Sequence, residues 1–415
     1  MPRKLRTLFL EPKTYISAIF TVQSQLIRYL HRDQVEVFVA CEAGDASARP
    51  PTFTAMSAIP NIHLRATHYI PSLTNDSKFT IVRKMAAAAW NLPALALYGR
   101  RQRIDIVHTS AESRDGAVGV ALARLMGARS VVHLHMNCAE WMSSLTRWSL
   151  THADAVLAVS ETTAQSAVNV IGVRPERVYV LRNGIQLSEW DCTLDGAPVR
   201  QEFGIPAEAP LIVVISRIYP WKGLADLIQS LAIVHEQLPE ARLLIVGGDD
   251  LGATPDRKSY TQELRELAVE LGQGDHVIFA GRRADIPQIL AAADVFALLT
   301  PDEAFGLVYL EAMTMKKPIV ALNVSGPTEL IEDGKSGFLV SPNDNAQAAR
   351  ALLQLLSNPA LRTEMGAYGR KRAETHYDVE LVARDMLKVY ERILAAPPNR
   401  ASLRAAARQE ATAAL

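Results

Sequence analysis

The chain has 415 residues, of which 49% are hydrophobic and 21% are charged. This length predicts two domains of about 200 residues each, and the composition excludes disordered and fibrous proteins because each half can bury a core. Residues 1–190 carry a net charge of +7 and the remainder carries −7, so we expect the two halves to meet different partners. Aromatic residues do not alternate with Arg or Lys along any stretch, which argues against a nucleic-acid partner.

Three sequence features bear on cellular location. No apolar run approaches the ~18 residues of a membrane span. The N-terminal residues lead directly into a strand-like segment at 7–10, which leaves no room for a signal peptide. Cys41, Cys138 and Cys192 share no CxxC spacing, which is typical of a reducing compartment rather than of disulfides or a zinc site. These features predict a cytoplasmic protein.

Short apolar runs alternate with amphipathic stretches along the chain. They predict strands in the first half at 5–10, 35–41, 104–109, 130–135, 155–159 and 178–181, with helices such as 20–31, 114–126 and 162–170 between them. In the second half the predicted strands are 211–216, 242–246, 277–280, 295–298, 318–321 and 337–340. Strands that are apolar throughout and separated by helices indicate parallel sheets covered on both faces. We predict an α/β fold of two Rossmann-like, doubly wound domains.

Turn residues interrupt this pattern between Asn183 and Pro210. We therefore predict an N-terminal domain at 1–185, a linker at 186–208 and a C-terminal domain at 209–375. A helix at 376–396 could cross back to the N-terminal domain, and the Ala- and Arg-rich tail at 397–415 is expected to be frayed. The expected ligand site is the cleft between the two domains.

Two carboxylates follow the predicted strand at 295–298. Glu303 should lie on the loop at the end of that strand, and Glu311 should lie in the second turn of a helix that starts near 305–307. Their spacing brings both to within ~80° of one helix face. The helix start offers an anion site, which Gly306 lets a phosphate approach. Carboxylates beside such a site suit sugar hydroxyls; the alternative is one capping and one solvent-facing Glu.

A second loop carries two cations. Arg217 and Lys222 lie between the predicted strand at 211–216 and a helical pattern at 224–234. Two cations at the end of a strand could neutralise a diphosphate leaving group. The alternative is a pair of solvated loop charges. Two strand–loop–helix sites within one half of the chain favour the functional interpretation.

The second half resembles the nucleotide-sugar domain of family 4 glycosyltransferases, a large retaining group with the GT-B fold. Residues 303–311 match the E-x7-E motif of that family, and residues 216–223 resemble its G/S-R-x4-K-G loop. Segments 326–329 and 333–340 follow in the family's order. The resemblance is dense over residues 155–390 and implies two Rossmann-like domains that face a central cleft.

The resemblance also implies a role for each matching residue. Arg217 and Lys222 would bind the donor diphosphate, Glu303 would hold hydroxyls of the donor sugar, and Glu311 would bind the ribose. Further contacts would come from the backbone after the first Glu and from the segment that passes the base: Phe305, Gly306, Leu307, Arg282 and Arg283.

The first half matches the family less closely. Its segment 130–137 resembles the family strand that ends in a His at the cleft, and His135 is the expected match. The family usually has a Gly-Gly pair after the first strand, whereas residues 11–18 contain no glycine. The side chains of Lys13, Thr14 or Ser17 could replace that pair near the donor, or the loop could shape an unusual acceptor pocket.

No metal and no separate cofactor are expected. The chain has no DxD triplet, and Asp249-Asp250 suits a solvated turn better than a metal site. Two cations and a helix dipole can neutralise a diphosphate in place of Mg²⁺. The nucleotide-sugar donor is then a substrate, with UDP- or GDP-linked sugars expected.

A basic, partly apolar stretch spans residues 78–103 and contains Trp90. Such a pattern is found in segments that lie on anionic lipid. One hypothesis is therefore peripheral contact with the inner membrane face during glycosylation of a lipid-linked acceptor. The alternative is an ordinary helix of a Rossmann layer with basic ends.

The sequence thus predicts a retaining, metal-independent glycosyltransferase that moves a sugar from a nucleotide-sugar donor to a hydroxyl of a glycan, a lipid-linked molecule or a small molecule. His135 would orient the donor sugar or stabilise developing charge. Two alternatives remain open: a nucleotide-sugar epimerase on the same fold, and a non-catalytic nucleotide-sugar-binding component of a glycan-assembly complex.

Overall fold

A computed structural model describes residues 3–44, 49–68, 78–110, 115–249 and 258–399, with the backbone alone at 78–89. The chain forms two compact units. The first unit combines Met1–Gly184 with Val379–Leu415, and the second unit is Ile185–Asp378.

The first unit contains a seven-stranded parallel sheet with the strand order β3-β2-β1-β4-β5-β6-β7. Its strands are β1 (Leu5–Glu11), β2 (Val35–Glu42), β3 (Ile62–Thr67), β4 (Ile106–Ser110), β5 (Arg129–Leu134), β6 (Ala155–Ala158) and β7 (Val178–Val180). Its helices are α1 (Ala18–Tyr29), α2 (Pro51–Ser57), α3 (Lys78–Arg101), α4 (Asp115–Met126), α5 (Ser144–His152), α6 (Glu161–Ser166) and the C-terminal α15 (Val379–Ala395). Alternate residues of each strand point to opposite faces, and both faces are covered.

The two faces of this sheet have different character. On one face, Leu8, Leu10 and Val107 pack with Leu95 of α3 and Leu122 of α4 in an apolar core. On the other face, β1 and β4 place Phe9 directly beside His108, and Tyr390 of α15 contacts the His108 ring. The second face is thus partly polar although it is buried.

One strand, β3, was not predicted from the sequence. Its residues alternate between partly exposed and exposed positions, apart from the buried Thr67. Because β3 pairs only with β2 at the edge of the sheet, it lacks the continuous apolar run by which the other strands were predicted.

The second unit contains a six-stranded parallel sheet with the strand order β10-β9-β8-β11-β12-β13. Its strands are β8 (Leu211–Ile215), β9 (Arg242–Val246), β10 (Val277–Gly281), β11 (Val295–Leu298), β12 (Ile319–Leu322) and β13 (Gly337–Val340). Its helices are α7 (Ala197–Glu202), α8 (Leu224–His235), α9 (Tyr260–Glu270), α10 (Ile286–Ala292), α11 (Leu307–Thr314), α12 (Pro327–Leu330), α13 (Asn345–Leu356) and α14 (Pro359–His376). The strand order reverses between β8 and β11, which is where ligands bind in sheets of this kind.

The predicted linker at 186–208 is wrong, because this segment folds as part of the second unit. Val199 and Ile205 are buried with Leu211 and Ile289 in one core cluster. Arg200 of α7 donates to the carboxylate of Asp294 at 2.9 Å. The apolar positions are few and separated by turn residues, so the sequence pattern did not reveal this packing.

The predicted C-terminal helix at 376–396 is observed as α15, which belongs to the first unit and packs against α1. The start of the predicted frayed tail is ordered instead. The Arg177 guanidinium donates to the Pro397 carbonyl at 2.7 Å, and the Asn399 N–H donates to the Asp154 carboxylate at 2.7 Å. Residues 400–415 lie outside the described part of the chain.

None of the described helices is long and apolar enough to cross a membrane. The hypothesis of peripheral membrane contact concerned residues 78–103, which form α3 up to Arg101. Trp90 is 81% exposed, but the side chains of 78–89 lie outside the description. The membrane hypothesis therefore stays a prediction.

Candidate functional site

The loop that carries Glu303 is held in a glycine-dependent conformation. It follows β11 and ends at Gly306, which caps α11 with a φ of +90°. A Cβ atom at Gly306 would overlap the ring of Tyr309, so only glycine suits this position. The helix begins at Leu307, within the predicted range, and its first turn presents unpaired N–H groups beside Glu303.

The loop that carries Arg217 and Lys222 lies directly against the Glu303 loop. Gly223 ends it with a φ of +67°, and an added Cβ would overlap the carbonyl oxygen of Leu299. The Thr300 hydroxyl donates to the Trp221 carbonyl at 3.2 Å. These contacts bring together the two predicted site loops at the point where the strand order of the sheet reverses.

Lys222 and Glu303 form an ion pair in this arrangement. The Nζ atom of Lys222 lies 3.0 Å from Oε2 of Glu303, and the two side chains are only 15% and 23% exposed. A partly buried pair of this kind is screened less by solvent than a surface pair. The structure thus places a cation and a carboxylate, which can accept hydrogen bonds, side by side.

Arg217 is more open than Lys222. Its guanidinium carbon lies 5.0 Å from the centre of the Tyr219 ring, and the rings of Tyr219 and Trp221 lie 4.5 Å apart. Trp221 is 50% exposed. The loop therefore presents an exposed cation and aromatic surface beside the ion pair.

Glu311 lies in the second turn of α11, as predicted. Burial raises the pKa of its carboxyl to about 7, because the charged form loses hydration. A carboxyl in this state can be ionised by a small gain in hydrogen bonding. That property suits a group that receives hydroxyl donors from a ligand.

The two arginines predicted to lie near the base, Arg282 and Arg283, make different contacts in the structure. Arg282 is exposed, and its side chain lies so close to Gly248 that a Cβ there would overlap it. Arg283 instead pairs with Glu202 and Asp285, and its Nη2 atom lies 2.7 Å from Oδ2 of Asp285. Both arginines stay predictions for the segment near the base, Arg282 as an exposed side chain and Arg283 as one that holds two carboxylates.

The three residues directly after Glu303, at 304–306, are buried, whereas Leu307 is half-buried. Phe305 is buried, and its ring packs edge-on against Tyr377 at 5.9 Å. The Gly326 N–H donates to the Glu303 carbonyl at 2.9 Å, and a Cβ at Gly326 would lie 2.6 Å from the Cα of Phe305. A third loop thus braces the chain at 303–306.

In the first unit, His135 follows β5 at the strand's C-terminal end. Burial, and next the charge of Lys13, lower the pKa of His135 to about 3. The imidazole is therefore neutral at neutral pH. It can donate or accept a hydrogen bond, but it cannot bring a positive charge to the site.

Side chains fix the glycine-free loop after β1. The Lys13 N–H donates to the Glu11 carboxylate at 3.0 Å, and the Lys13 ammonium donates to the Ser17 hydroxyl at 3.3 Å. Thr14 is exposed. Of the three side chains predicted for this loop, Lys13 therefore brings a charge that acts on His135.

The described residues contain no group of three or more His, Cys, Asp or Glu that could hold a metal ion. Asp249, one of the two turn aspartates, accepts from the Thr261 N–H at 3.0 Å near the start of α9. Asp250 lies outside the described residues.

Several known proteins are similar to this chain in sequence or in fold. The family model described as glycosyl transferases group 1 matches residues 197–372, and that of glycosyltransferase family 4 matches residues 21–189. The α-maltose-1-phosphate synthase of Mycolicibacterium smegmatis is 30% identical over 266 residues, which cover 61% of this chain and 67% of that relative. The chain belongs to the family 4 glycosyltransferases. It is an enzyme that takes a sugar from a nucleotide-sugar donor.

Two further similarities complete the comparison. The D-inositol 3-phosphate glycosyltransferase of Jonesia denitrificans is 28% identical over 317 residues, covering 74% of this chain and 68% of that protein. The crystal structure of HepE from Anabaena in complex with UDP superposes with a TM-score of 0.76 at 23% identity, covering 93% of this chain and all of the other. The second similarity shows the GT-B fold.

Several residues that build this glycosyltransferase site were not predicted from the sequence. Thr300 and Gly326 hold the Glu303 loop, and Gly223 sets the approach of the Lys222 loop. Both glycines lie within the segments that resemble the family motifs. A glycine next to a charged motif residue could have indicated a close backbone approach at these positions. Lys13, by contrast, was among the three side chains predicted for the loop where the family has glycine.

Proposed function

We propose that this enzyme is a retaining, metal-independent transferase that uses a UDP- or GDP-linked sugar and no separate cofactor. The Lys222–Glu303 ion pair at the reversal of the strand order carries the proposal. It offers a phosphate ligand and a hydroxyl acceptor within one hydrogen-bond length of each other. Those are the two groups that a nucleotide sugar presents on either side of the bond to be broken.

Donor binding exchanges the partners of this ion pair. The diphosphate engages Lys222, Arg217 and the first-turn N–H groups of α11, while the Glu303 carboxylate accepts from hydroxyls of the sugar. Ribose hydroxyls donate to Glu311. Two cations and a helix start aimed at the diphosphate stabilise the charge that develops on it during the reaction.

The chemical step breaks the bond between the anomeric carbon and the diphosphate oxygen, and the electron pair leaves with the diphosphate. The acceptor hydroxyl attacks from the same face, and its proton passes to the departing phosphate oxygen. The configuration of the sugar is retained. A neutral His135 orients a substrate hydroxyl in this scheme, and no protein base is required.

Among acceptors, we favour a small phosphate-bearing molecule. Lys13 places a cation beside His135, and its charge contributes to the lowered pKa of that ring. Two relatives are named for phosphorylated small sugars or polyols, maltose 1-phosphate and inositol 3-phosphate. A lipid-linked acceptor, with peripheral membrane contact through 78–103, is the competing assignment.

Donor use is tested by mass-spectrometric detection of transfer from UDP-, GDP- and ADP-sugars to a panel of phosphorylated and neutral acceptors. Glu303→Gln should lower kcat by about 10²- to 10³-fold, as expected when a group that stabilises the transition state is lost. Glu266→Gln, which removes one charge of the exposed pair with Lys258, is the matched control and should leave kcat unchanged. Equal activity of both variants would contradict the assignment.

The same assay separates the alternatives. A transferase releases free nucleotide only when an acceptor is present, whereas an epimerase converts the donor without release. A binding protein retains donor affinity without turnover. Lys13→Ala should raise KM for a phosphorylated acceptor about tenfold, the loss expected for one charge-assisted hydrogen bond, and an unchanged KM together with binding to anionic vesicles would favour the lipid-linked acceptor.

A further inference from the structure

Three buried rings, those of His133, His108 and Tyr390, line up behind His135 in the first unit. The centroids of the His135 and His133 rings are 4.2 Å apart, with their planes tilted by 38°. The edge of His108 then meets His133 at 5.3 Å. The His108 Nδ1 atom lies 2.7 Å from the Tyr390 hydroxyl of α15. The row therefore runs from the end of β5 to the C-terminal helix.

The strands dictate this row. His133 lies in β5, and His135, two residues on and just past the end of that strand, lies on the same side, as its ring contact with His133 shows. Val131 pairs with His108 in the neighbouring strand, which places His108 on that face as well, and Phe9 pairs with His108 from the other side. The Phe9 ring lies 5.0 Å from the His108 ring, which leaves His108 little freedom to turn.

His133 is the least expected member of the row. It is 2% exposed, and its Nε2 atom has no hydrogen-bond partner among the described residues. A buried polar atom without a partner costs on the order of 1–3 kcal/mol. Phenylalanine or leucine would fill such a site without that cost, so the imidazole contributes little to stability beyond the packing of its ring.

We propose that His133, backed by His108 and Tyr390, is a positioning residue that fixes the orientation of the His135 ring. The proposal rests on the role given to His135 in the proposed function. A ring held on one side can present its free nitrogen to substrate in a single direction, which lowers the cost of ordering it during the reaction.

The same packing keeps His135 uncharged. Among the described residues, the groups that face it are Lys13 from the loop after β1, His133 from β5 and, behind that ring, His108 with Tyr390. The described groups in this set comprise one cation and neutral rings, with Glu11 bound to the Lys13 backbone. Burial lowers the pKa values of all three histidines. Removing the His133 ring admits space and water beside His135 and weakens this effect.

Two substitutions at position 133 test the proposal. His133→Leu removes the ring face, and His133→Phe keeps it without nitrogen atoms. We expect His133→Leu to lower kcat about tenfold, since small misplacements of a substrate-orienting group are costly, with the donor KM within about twofold of wild type. His133→Phe should stay within about twofold of wild type in both.

The second measurement needs no substrate. In protein labelled at histidine Cε1 and assigned with His135→Asn, the NMR titration midpoint of His135 should move upward in His133→Leu and stay low in His133→Phe. A purely structural role would lower the melting temperature without moving that midpoint. Because the titration is read in the free enzyme, its result stands even if the assigned transfer reaction fails.

Two further variants complete the design. Tyr390→Phe removes only the hydroxyl that holds His108 and should lower kcat two- to threefold, which provides a test if His133→Leu does not fold. His152→Leu is the matched control, because His152 also stacks on a ring, that of Trp148 at 4.7 Å, away from the row. Wild-type kcat and titration in His133→Leu, or equal damage in His133→Phe and His133→Leu, would overturn the proposal.

Discussion

The two units share a strand–loop–helix plan but build the loops at their strand ends differently. In the second unit, Gly223 and Gly326 let backbone segments touch, Gly306 makes room for the Tyr309 ring, and the charged side chains of the site lie on that close-packed support. In the first unit, the loop after β1 contains no glycine and is tied by the side chains of Glu11 and Ser17. One unit fixes its site through backbone contacts, and the other through side chains.

This difference matches what the two units are proposed to bind. A diphosphate and a ribose are common to many donors, and a backbone cradle recognises them without depending on variable side chains. Acceptors differ widely in chemistry, and a loop held by side chains can change its cations and hydroxyls without disturbing the sheet. We expect substitutions of glycine to be most harmful in the second unit and substitutions of polar groups to be most informative in the first.

The largest effect is expected at Gly223. Gly223→Ala forces a Cβ into the Leu299 carbonyl at a positive φ. The strain should cost about 3 kcal/mol or more in unfolding free energy and should pull Lys222 away from Glu303. Hydrogen exchange of peptides that cover 211–224 and 295–306, together with kcat, measures both consequences.

Gly272→Ala is the control for this substitution. Gly272 has a φ of +72° but faces open space, so only the backbone term of about 1 kcal/mol applies. If the two variants proved equally stable and equally active, the close approach of the two loops would not be what fixes the donor site.

A medium effect is expected on the stability of the first unit when the pH is lowered. Burial, and next the repulsion from His135 once that ring is protonated, lower the pKa of His108 to about 3, against an ordinary value of 6.5. Between pH 6.5 and about 3, His108 is protonated in the unfolded chain but neutral in the folded protein. The contribution of the neutral His108 to the free energy of unfolding is therefore complete above pH 6.5 and is lost as the pH falls towards 3.

At pH 5 the loss from His108 is about 2 kcal/mol. Hydrogen exchange at pH 7 and pH 5, corrected for intrinsic rates, should show protection falling in β4 and β5. His108→Phe should reduce this dependence, whereas His276→Phe in the second unit, whose ring meets His235, should not. A first unit that is equally protected at both pH values would contradict a row of buried neutral histidines.

The sequence predicted the second unit in more detail than the first. Apolar runs located every strand of its sheet, and the charged motif loops identified Lys222 and Glu303. The pairing of these two side chains follows from the strand order, which brings together residues 81 positions apart. No local sequence pattern predicts that pairing. The pairing of Arg283 with Glu202, also 81 positions away, likewise joins distant segments that no local pattern connects.

The first unit was harder to predict for the same physical reason. His108 and Tyr390 are 282 positions apart, and they meet because α15 returns to the first sheet. His133 looked like an ordinary strand residue in the sequence. The alternation of side chains along a strand predicts which face of the sheet a residue lies on, but not which element packs on that face. Patterns of one segment predict elements, whereas sites assembled from distant segments require the topology.

The smallest effect, and the one that sharpens the comparison most, concerns Glu311. With a pKa of about 7, this carboxyl is half protonated at neutral pH in the free enzyme. Ribose hydroxyls donate best to the carboxylate, so donor affinity should rise as the pH increases from 6 to 8 and should level off above.

Calorimetric Kd values for a nucleotide sugar measure this rise, which should amount to several-fold; a free nucleotide is unsuitable because its terminal phosphate titrates near pH 6. Glu311→Gln should bind about tenfold more weakly with a flat profile, while Glu266→Gln keeps the wild-type profile. A flat profile in the wild type would mean that the ribose does not meet this carboxyl, and the second unit would then hold the donor through Lys222, Glu303 and the backbone alone.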